Sequence, residues 1–179
     1  AVSQHNIGMI DVRFSSDVNG HLLSAVEAVL LGPRLMISQQ DYPGHQEWVS
    51  KAYAEVKNEQ KRAIVAWDGQ VPIGLVIYQR HKVDNRAVEI KNLTVDPRYG
   101  NRYLASFLLR NAEREAYFND FVGVRYAVAD LKANNYSMIL FVRKHHYYIQ
   151  EQSLVETQFE HNGYPDLVIR KDLQVLHHH

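Results

Sequence analysis

Residues 87–109 decide the fold of this chain, and they read AVEIKNLTVDPRYGNRYLASFLL. Ala87 to Val95 is rich in apolar and β-branched residues, which predicts a strand. Pro97 ends the strand, and a short polar loop with one glycine follows. Beyond the loop, apolar residues recur at i, i+3, i+4 and i+8. This spacing predicts a helix with one buried stripe, formed by Leu104, Phe107, Leu108 and Ala112.

The start of that helix is a candidate phosphate site. The first turn of a helix presents unpaired backbone amides and the positive end of the helix dipole, so it can hold phosphate oxygens. Arg98 and Arg102 flank this start and could pair with further phosphate charge. The alternative is an ordinary strand–loop–helix junction with two solvated arginines.

The residues before this segment predict a strand and two helices. Ile10 to Phe14 alternates apolar and polar residues, as a half-buried strand does. Ser16 or Asp17 is expected to cap a first helix, which stops at Gly32-Pro33. A second helix is expected from Gln46 to Asn58, with an apolar stripe of Trp48, Val49, Tyr53 and Val56.

A β-hairpin follows the second helix. Ala63 to Trp67 and Val71 to Tyr78 are both strand-like, and Asp68-Gly69 lies between them. An Asp-Gly pair fits a tight turn because both central positions of the favoured turn need a positive φ. The hairpin then leads, through a polar loop, into the strand that begins at Ala87.

The residues after the long helix predict two strands around a helix and a final strand. Val124 to Leu131 is strand-like, Ala133 to Lys144 is helical, and Tyr147 to Gln150 is again strand-like. A turn at 162–165 precedes the last strand, Asp166 to Lys171. The order β-α-α-β-β-β-α-β-α-β-β predicts an α/β (α+β) fold with a mixed central sheet flanked by helices.

Composition restricts the functions that this fold can have. The 179 residues contain twenty Lys and Arg, twenty Asp and Glu and no cysteine. A formal net charge of zero disfavours nucleic acid or an anionic membrane as the main partner. No apolar run approaches the roughly 18 residues of a membrane span, and we expect a cytoplasmic protein. We predict one domain over residues 1–176 and interpret His177 to His179 as part of a purification tag.

Two motifs on this pattern resemble the GCN5-related N-acetyltransferase (GNAT) family. In that family a strand ending in Leu-x-Val-x-Pro precedes a loop and helix start of the form Arg/Gln-x-x-Gly-x-Gly/Ala. A second family signature, an Asn with a downstream F-Y-x-K-x-G-F, is similar to Asn135 and the FVRKHHY of residues 141–147. The first motif is matched in register at Leu93, Val95, Pro97, Tyr99, Ala105, Leu108 and Leu109.

The resemblance implies an acyl-CoA-dependent N-acyltransferase that moves an acetyl group from acetyl-CoA to a primary amine by direct transfer, without a metal. Amides of the loop and helix start would hold the cofactor pyrophosphate. The main chain after Glu89 would pair with the pantetheine arm like an added strand. The implied cofactor-binding residues are Leu93, Thr94, Val95, Arg98, Gly100, Asn101, Arg102, Tyr103, Leu104, Ala105 and Asn135.

The chain departs from the family pattern in the cofactor loop. Gly100 stands where the family usually has Arg or Gln, and Tyr103 stands where it usually has the first glycine. Either Gly100 takes over the permissive backbone role, or acetyl-CoA binds weakly. Two further alternatives are that the donor carries a larger acyl group and that the protein binds no acyl donor.

Glu89 and Tyr147 are the catalytic candidates. Glu89 lies on the strand where family members often place the base that takes the proton of the amine; the alternative is a surface ion pair with Lys91 or a neighbouring cation. In a regular strand Glu89, Lys91 and Leu93 would share one side, unless a bulge intervened. Val142 stands where many family members have a Tyr that protonates the leaving thiolate. Tyr147, Tyr148, His145 or His146 could replace it, or Tyr147 could be a core residue.

The acceptor is not readable from the sequence, and both a small-molecule amine and a protein or peptide amine fit the family. A homodimer is a family expectation. The alternative function is a non-catalytic member of the fold that binds CoA or a protein partner as a sensor or scaffold.

Overall fold

The computed structural model describes residues 12–32, 43–99, 102–150 and 166–174; of Arg102 it describes the main chain alone. The strands are β1 Val12–Ser15, β2 Arg62–Asp68, β3 Val71–Arg80, β4 Ala87–Val95, β5 Tyr126–Lys132, β6 Tyr148–Ile149 and β7 Asp166–Asp172. The α-helices are α1 Gly20–Leu31, α2 His45–Lys57, α3 Arg102–Glu115 and α4 Tyr136–Lys144. A 3-10 turn, Pro97–Tyr99, precedes α3, and a π-helical turn, Ala116–Asp120, extends it.

The strands form one seven-stranded mixed sheet in the order β1-β2-β3-β4-β5-β7-β6. Neighbouring strands run antiparallel except β4 and β5, which are parallel. The predicted fold class and element order are confirmed. Because a parallel pair needs a crossover connection, α3 has to pass over the sheet between β4 and β5.

Helices cover both faces of the sheet. On one face α3 buries Leu104, Leu108 and Ala112 in a core that also contains Val142 of α4. A Cβ atom at Gly74 of β3 would lie 2.9 Å from Leu108 Cδ1, so the glycine permits the close approach of α3. On the other face α1 and α2 pack on the alternate residues of β2 and β3 in a second core.

Several predicted details of the first half are wrong. Helix α1 is capped by Asn19, whose Oδ1 accepts the Leu22 amide at 2.9 Å, and not by Ser16 or Asp17. In the hairpin Asp68 pairs with Val71, so the turn residues are Gly69 and Gln70. Of these two, Gly69 alone has a positive φ, of 59°.

The second half also differs from the prediction at a few positions. Phe107 is 58% exposed instead of buried, because it turns toward Phe14 of β1, with the ring centroids 6.3 Å apart. Helix α4 starts at Tyr136 instead of Ala133, since Asn135 caps it by accepting the Met138 amide. The predicted residues Ile10, Asp11, Pro33 and the turn at 162–165 lie outside the described residues.

Candidate active site

A split opens in the middle of the sheet between β4 and β5. The two strands pair only where Ala87–Glu89 faces Tyr126–Val128. Just beyond this pairing, β4 carries a β-bulge: Tyr78 of β3 faces Ile90, whereas Ile77 faces Asn92, so Lys91 is the extra residue. A bulge bends its strand and increases the local twist. We call the space between the diverging strands the split.

The bulge also changes which side chains share a face of the sheet. Val88 and Ile90 lie in the core under α3, and beyond the bulge Leu93 and Val95 pack against that same core. Glu89 therefore lies on the opposite face from Leu93. The bulge that the sequence analysis left open is present, so Glu89 does not share one side of the strand with Leu93.

One backbone edge of β4 faces the split without a strand partner in the described part of the chain. The Asp96 amide donates to the Ile73 carbonyl at 2.8 Å, so residue 96 turns its polar backbone groups toward β3. Hydrogen-bonding direction alternates along an antiparallel pair, and β3 and β4 keep their register from Val76–Leu93 onward. The N–H and C=O groups of Leu93 and Val95 consequently point into the split.

A cavity of about 230 Å³ lies in the split. Leu109 of α3 and Met138 and Val142 of α4 line it from the helix-covered face. Lys91 and Asp130 line it as well, and Asp130 belongs to the residues of β5 that alternate with the core residues Ala127 and Ala129. Side chains from both faces of the sheet therefore line the cavity. Three of the predicted site residues line it, namely Leu93, Asn135 and Tyr147.

Glu89 is held by two basic groups on the face opposite α3. Its carboxylate lies 2.8 Å from Lys91 Nζ and 3.7 Å from His81 Nε2, and its side chain is 16% exposed. The ion pair with Lys91 that was the alternative to catalysis is therefore present. Glu89 is not among the residues that line the cavity, whereas its partner Lys91 is.

Tyr147 is buried behind the cavity. Its hydroxyl donates to Glu113 Oε2 at 2.7 Å, and Lys171 Nζ donates to the other oxygen of the same carboxylate at 2.7 Å. Burial raises the pKa of Tyr147 well above its usual value, with the Glu113 carboxylate adding to the effect. Tyr147 thus lines the cavity as a buried member of the core, which was the alternative to a catalytic role, and its proton is engaged with a carboxylate.

The helix start next to the split is only partly described. Arg98 is not a free cation: its guanidinium lies 3.1 Å from the buried Asp96 carboxylate, which also accepts the Arg98 amide. Arg102 is the first residue of α3, while Gly100 and Asn101 lie outside the described residues. Their predicted contacts with pyrophosphate stay predictions.

The remaining predicted cofactor residues are not among those that line the cavity, although the backbone groups of Val95 point into the split. Tyr103 and Leu104 line a second cavity of about 230 Å³ between β1 and α3, where Tyr103 is 69% exposed. The Thr94 hydroxyl donates to the Asn92 side chain at 2.7 Å. Val95 packs on the core, and Ala105 is a half-buried residue of α3.

The sequence analysis missed Asp130 and the pair Glu113–Lys171. Asp130 is the only acidic residue in β5, YAVADLK, so its place after four residues of apolar or aromatic type could have marked it. No local signal joins Glu113 to Lys171, which are 58 positions apart. In the described ranges no group of three or more His, Asp or Glu side chains could hold a metal ion, and no helix is long and apolar enough to cross a membrane.

Known proteins share both the sequence pattern and the fold. The model of the acetyltransferase (GNAT) family matches residues 32–147. No curated protein matches the sequence. Among solved structures, a protein from Desulfovibrio desulfuricans assigned to the GNAT acetyltransferases has a TM-score of 0.72 at 14% identity, with 90% of this chain and 99% of that chain covered.

Two further structures have substrates in their names. Spermidine N-acetyltransferase from Vibrio cholerae, in complex with CoA and spermine, has a TM-score of 0.64 at 13% identity and covers 92% of this chain and 97% of its own. Aminoglycoside 6'-acetyltransferase type Ii has a TM-score of 0.66 at 16% identity, with 90% and 97% covered. At sequence identities this low, the similarity to these structures shows the fold alone. The family match covers more than half of the chain, and the chain belongs to the acetyltransferase (GNAT) family.

Proposed function

We propose that this protein is an N-acyltransferase that moves an acetyl group from acetyl-CoA to a primary amine by direct transfer. The observation that carries the proposal is the split, where a bulged strand turns backbone groups toward a cavity that side chains from both faces of the sheet line. Acetyl-CoA would supply an activated acetyl thioester. The chain has to hold that thioester in the split and bring the amine to it.

The main chain of β4 is the proposed binding surface for the pantetheine arm. The outward-pointing groups at Leu93 and Val95 repeat every second residue, which is the spacing that an added strand or an extended amide chain requires. Asn135 lines the same cavity at the start of α4. The pyrophosphate would then reach the start of α3, where Gly100, Asn101 and the first amides of the helix could receive it.

The amine is proposed to approach from the face that carries Glu89. Its nitrogen must be neutral to attack the thioester carbon, and Glu89 is the candidate that takes the proton, directly or through a water. The attack forms the C–N bond of the amide and breaks the C–S bond. Backbone amides of β4 would polarise the thioester oxygen during this step.

The proton donor to the leaving thiolate stays unassigned. Val142 lines the cavity where the family usually has a tyrosine, and a valine has no proton to give. Tyr147 is a weak candidate, since its hydroxyl donates to Glu113 and its pKa is raised. His145 has a lowered pKa because of burial and nearby cations, and its Nε2 lies 2.8 Å from Ser106 Oγ.

Small-molecule amines are the proposed acceptors, and a protein or peptide amine is the alternative. The names of the related structures mention spermidine and aminoglycosides, which are both small amines. The second candidate function is a non-catalytic CoA-binding scaffold. The valine at position 142 favours it, because a binding protein needs no proton donor.

Release of free CoA from acetyl-CoA, followed with a thiol reagent, tests the function. The panel of acceptors consists of alkyl and aryl amines, polyamines and peptides with a free N-terminus. We expect at least one of them to accelerate the release of CoA above the rate without amine. Mass spectrometry should then detect the acetylated form of that amine. Protein unfolded in denaturant and then diluted gives the background. Saturable acetyl-CoA binding without acceleration by any amine would support the scaffold instead.

A further inference from the structure

Asp130 stands at the wall of the split on the face that the amine is proposed to use. It lies two residues beyond Val128, the last residue of β5 that pairs with β4. Since side chains alternate along a strand, Asp130 shares its face with Val128 and hence with Glu89, the register partner of Val128. The residue lines the cavity and is exposed to solvent. An incoming molecule can therefore reach its carboxylate.

The neighbouring carboxylates Glu89 and Asp166 each form an ion pair with a lysine, whereas Asp130 forms none in the described part of the chain. Lys91 and His81 nevertheless lie near enough to Asp130 to lower the pKa of its carboxyl group in part. Lys91 Nζ lies 2.8 Å from Glu89, and Lys132 Nζ lies 3.0 Å from Asp166 of the adjacent strand. No basic group of the described residues forms an ion pair with Asp130. The guanidinium of Arg170, further along β7, stacks on the ring of Tyr126 instead. Of these three carboxylates, Asp130 is the one that no lysine of the described residues contacts in an ion pair.

The surroundings of Asp130 disfavour its charge. The partial loss of water against the strands raises the pKa of its carboxyl group, and the neighbouring carboxylates Glu89 and Asp166 raise it further. A cation placed beside Asp130 would relieve both effects. Binding of a cation beside Asp130 would therefore stabilise the charged form of its carboxyl group.

We propose that Asp130 binds the ammonium group of the acceptor and makes this site selective for amines that carry a positive charge. The inference rests on the proposed function, because it takes the split as the place of acyl transfer. An ammonium donates up to three hydrogen bonds, and a carboxylate can accept them at the wall of the cavity. Asp130 holds the cation while Glu89, on the same face of the neighbouring strand, takes its proton.

Binding of butylammonium measured by NMR tests this role without requiring turnover. Butylammonium chloride is titrated into the 15N-labelled full chain at pH 7 and constant ionic strength, with and without saturating CoA. We expect saturable shifts at the amides of Lys91, Asp130 and the start of β7, and an affinity about five- to tenfold weaker in Asp130→Asn. Asp17→Asn, an equal change at an exposed residue before α1, should leave the affinity as in the wild type.

Butanol, which has similar size and no charge, should cause no saturable shifts at these amides. Equal butylammonium affinity in the wild type and Asp130→Asn, or shifts confined to another part of the molecule, would overturn the inference. Unchanged amide spectra elsewhere establish that Asp130→Asn folds. If the proposed function is wrong, the result is different: CoA and acetyl-CoA cause no shifts in the amide spectrum. That result does not depend on whether butylammonium binds.

Discussion

Glu89→Gln is expected to lower kcat/KM for the amine about 10²- to 10⁴-fold, the range typical of a lost general base. The carboxylate lies in the bulged part of β4 beside the split, and glutamine keeps its size while losing its basicity. The part of the rise of kcat/KM with pH that depends on proton transfer to this carboxylate should flatten, because glutamine cannot accept the proton of the amine. Affinity for acetyl-CoA should not change, since Glu89 is absent from the residues that line the cavity.

Steady-state kinetics across pH 6 to 9, together with calorimetric titration of acetyl-CoA, check this expectation. Glu27→Gln makes the same chemical change on the exposed side of α1 and serves as the matched control. A Glu89→Gln enzyme with the pH profile of the wild type would remove Glu89 from the mechanism. Loss of acetyl-CoA affinity along with the rate would instead assign the residue to the cofactor side.

Glu113→Ala is expected to destabilise the protein by about 3–5 kcal/mol, the cost typical of removing one partner of a buried ion pair. Glu113 is 1% exposed and Lys171 is 7% exposed, so the substitution leaves an ammonium in the core without its counter-charge. The Tyr147 hydroxyl loses its acceptor as well. A loss of this size is a large part of the about 5–15 kcal/mol that usually separates folded and unfolded states.

Urea denaturation at pH 7, followed by circular dichroism, measures this effect. The double variant Glu113→Leu with Lys171→Met should recover much of the lost stability, because removing both charges leaves no ion unpaired. Glu115→Ala, an equal truncation on the same helix at a half-buried position, should cost far less. A Glu113→Ala variant as stable as the control would mean that this ion pair does not stabilise the native state.

The order of the elements was predictable because each element leaves a local periodicity in the sequence. The strand from Ala87 to Val95 and the helix after Pro97 were found within a few residues of their observed bounds. The ends were less predictable where several residues could serve the same purpose. Ser16, Asp17 and Asn19 are all good caps, and only packing of α1 decides that Asn19 is used.

Part of the candidate site was predictable from the two motifs. Leu93, Asn135 and Tyr147 were assigned to it from motifs, and all three line the cavity. The bulge at Lys91 was not predictable, because it is defined by the register against β3, which a single strand does not reveal. The assignment of Asp130 to the same face as Glu89 depends on the pairing of β4 with β5, which the sequence does not reveal either.

Calorimetric titration of acetyl-CoA into the wild type, Leu93→Ala and Leu93→Pro tests the central claim most directly. Proline removes the Leu93 amide, which points into the split, and leaves the bonds to β3 intact, whereas alanine removes only the side chain. We predict saturable binding to the wild type, similar affinity in Leu93→Ala and about tenfold weaker binding in a folded Leu93→Pro. Equal affinities in the two variants, or no binding to the wild type at millimolar acetyl-CoA, would contradict the account.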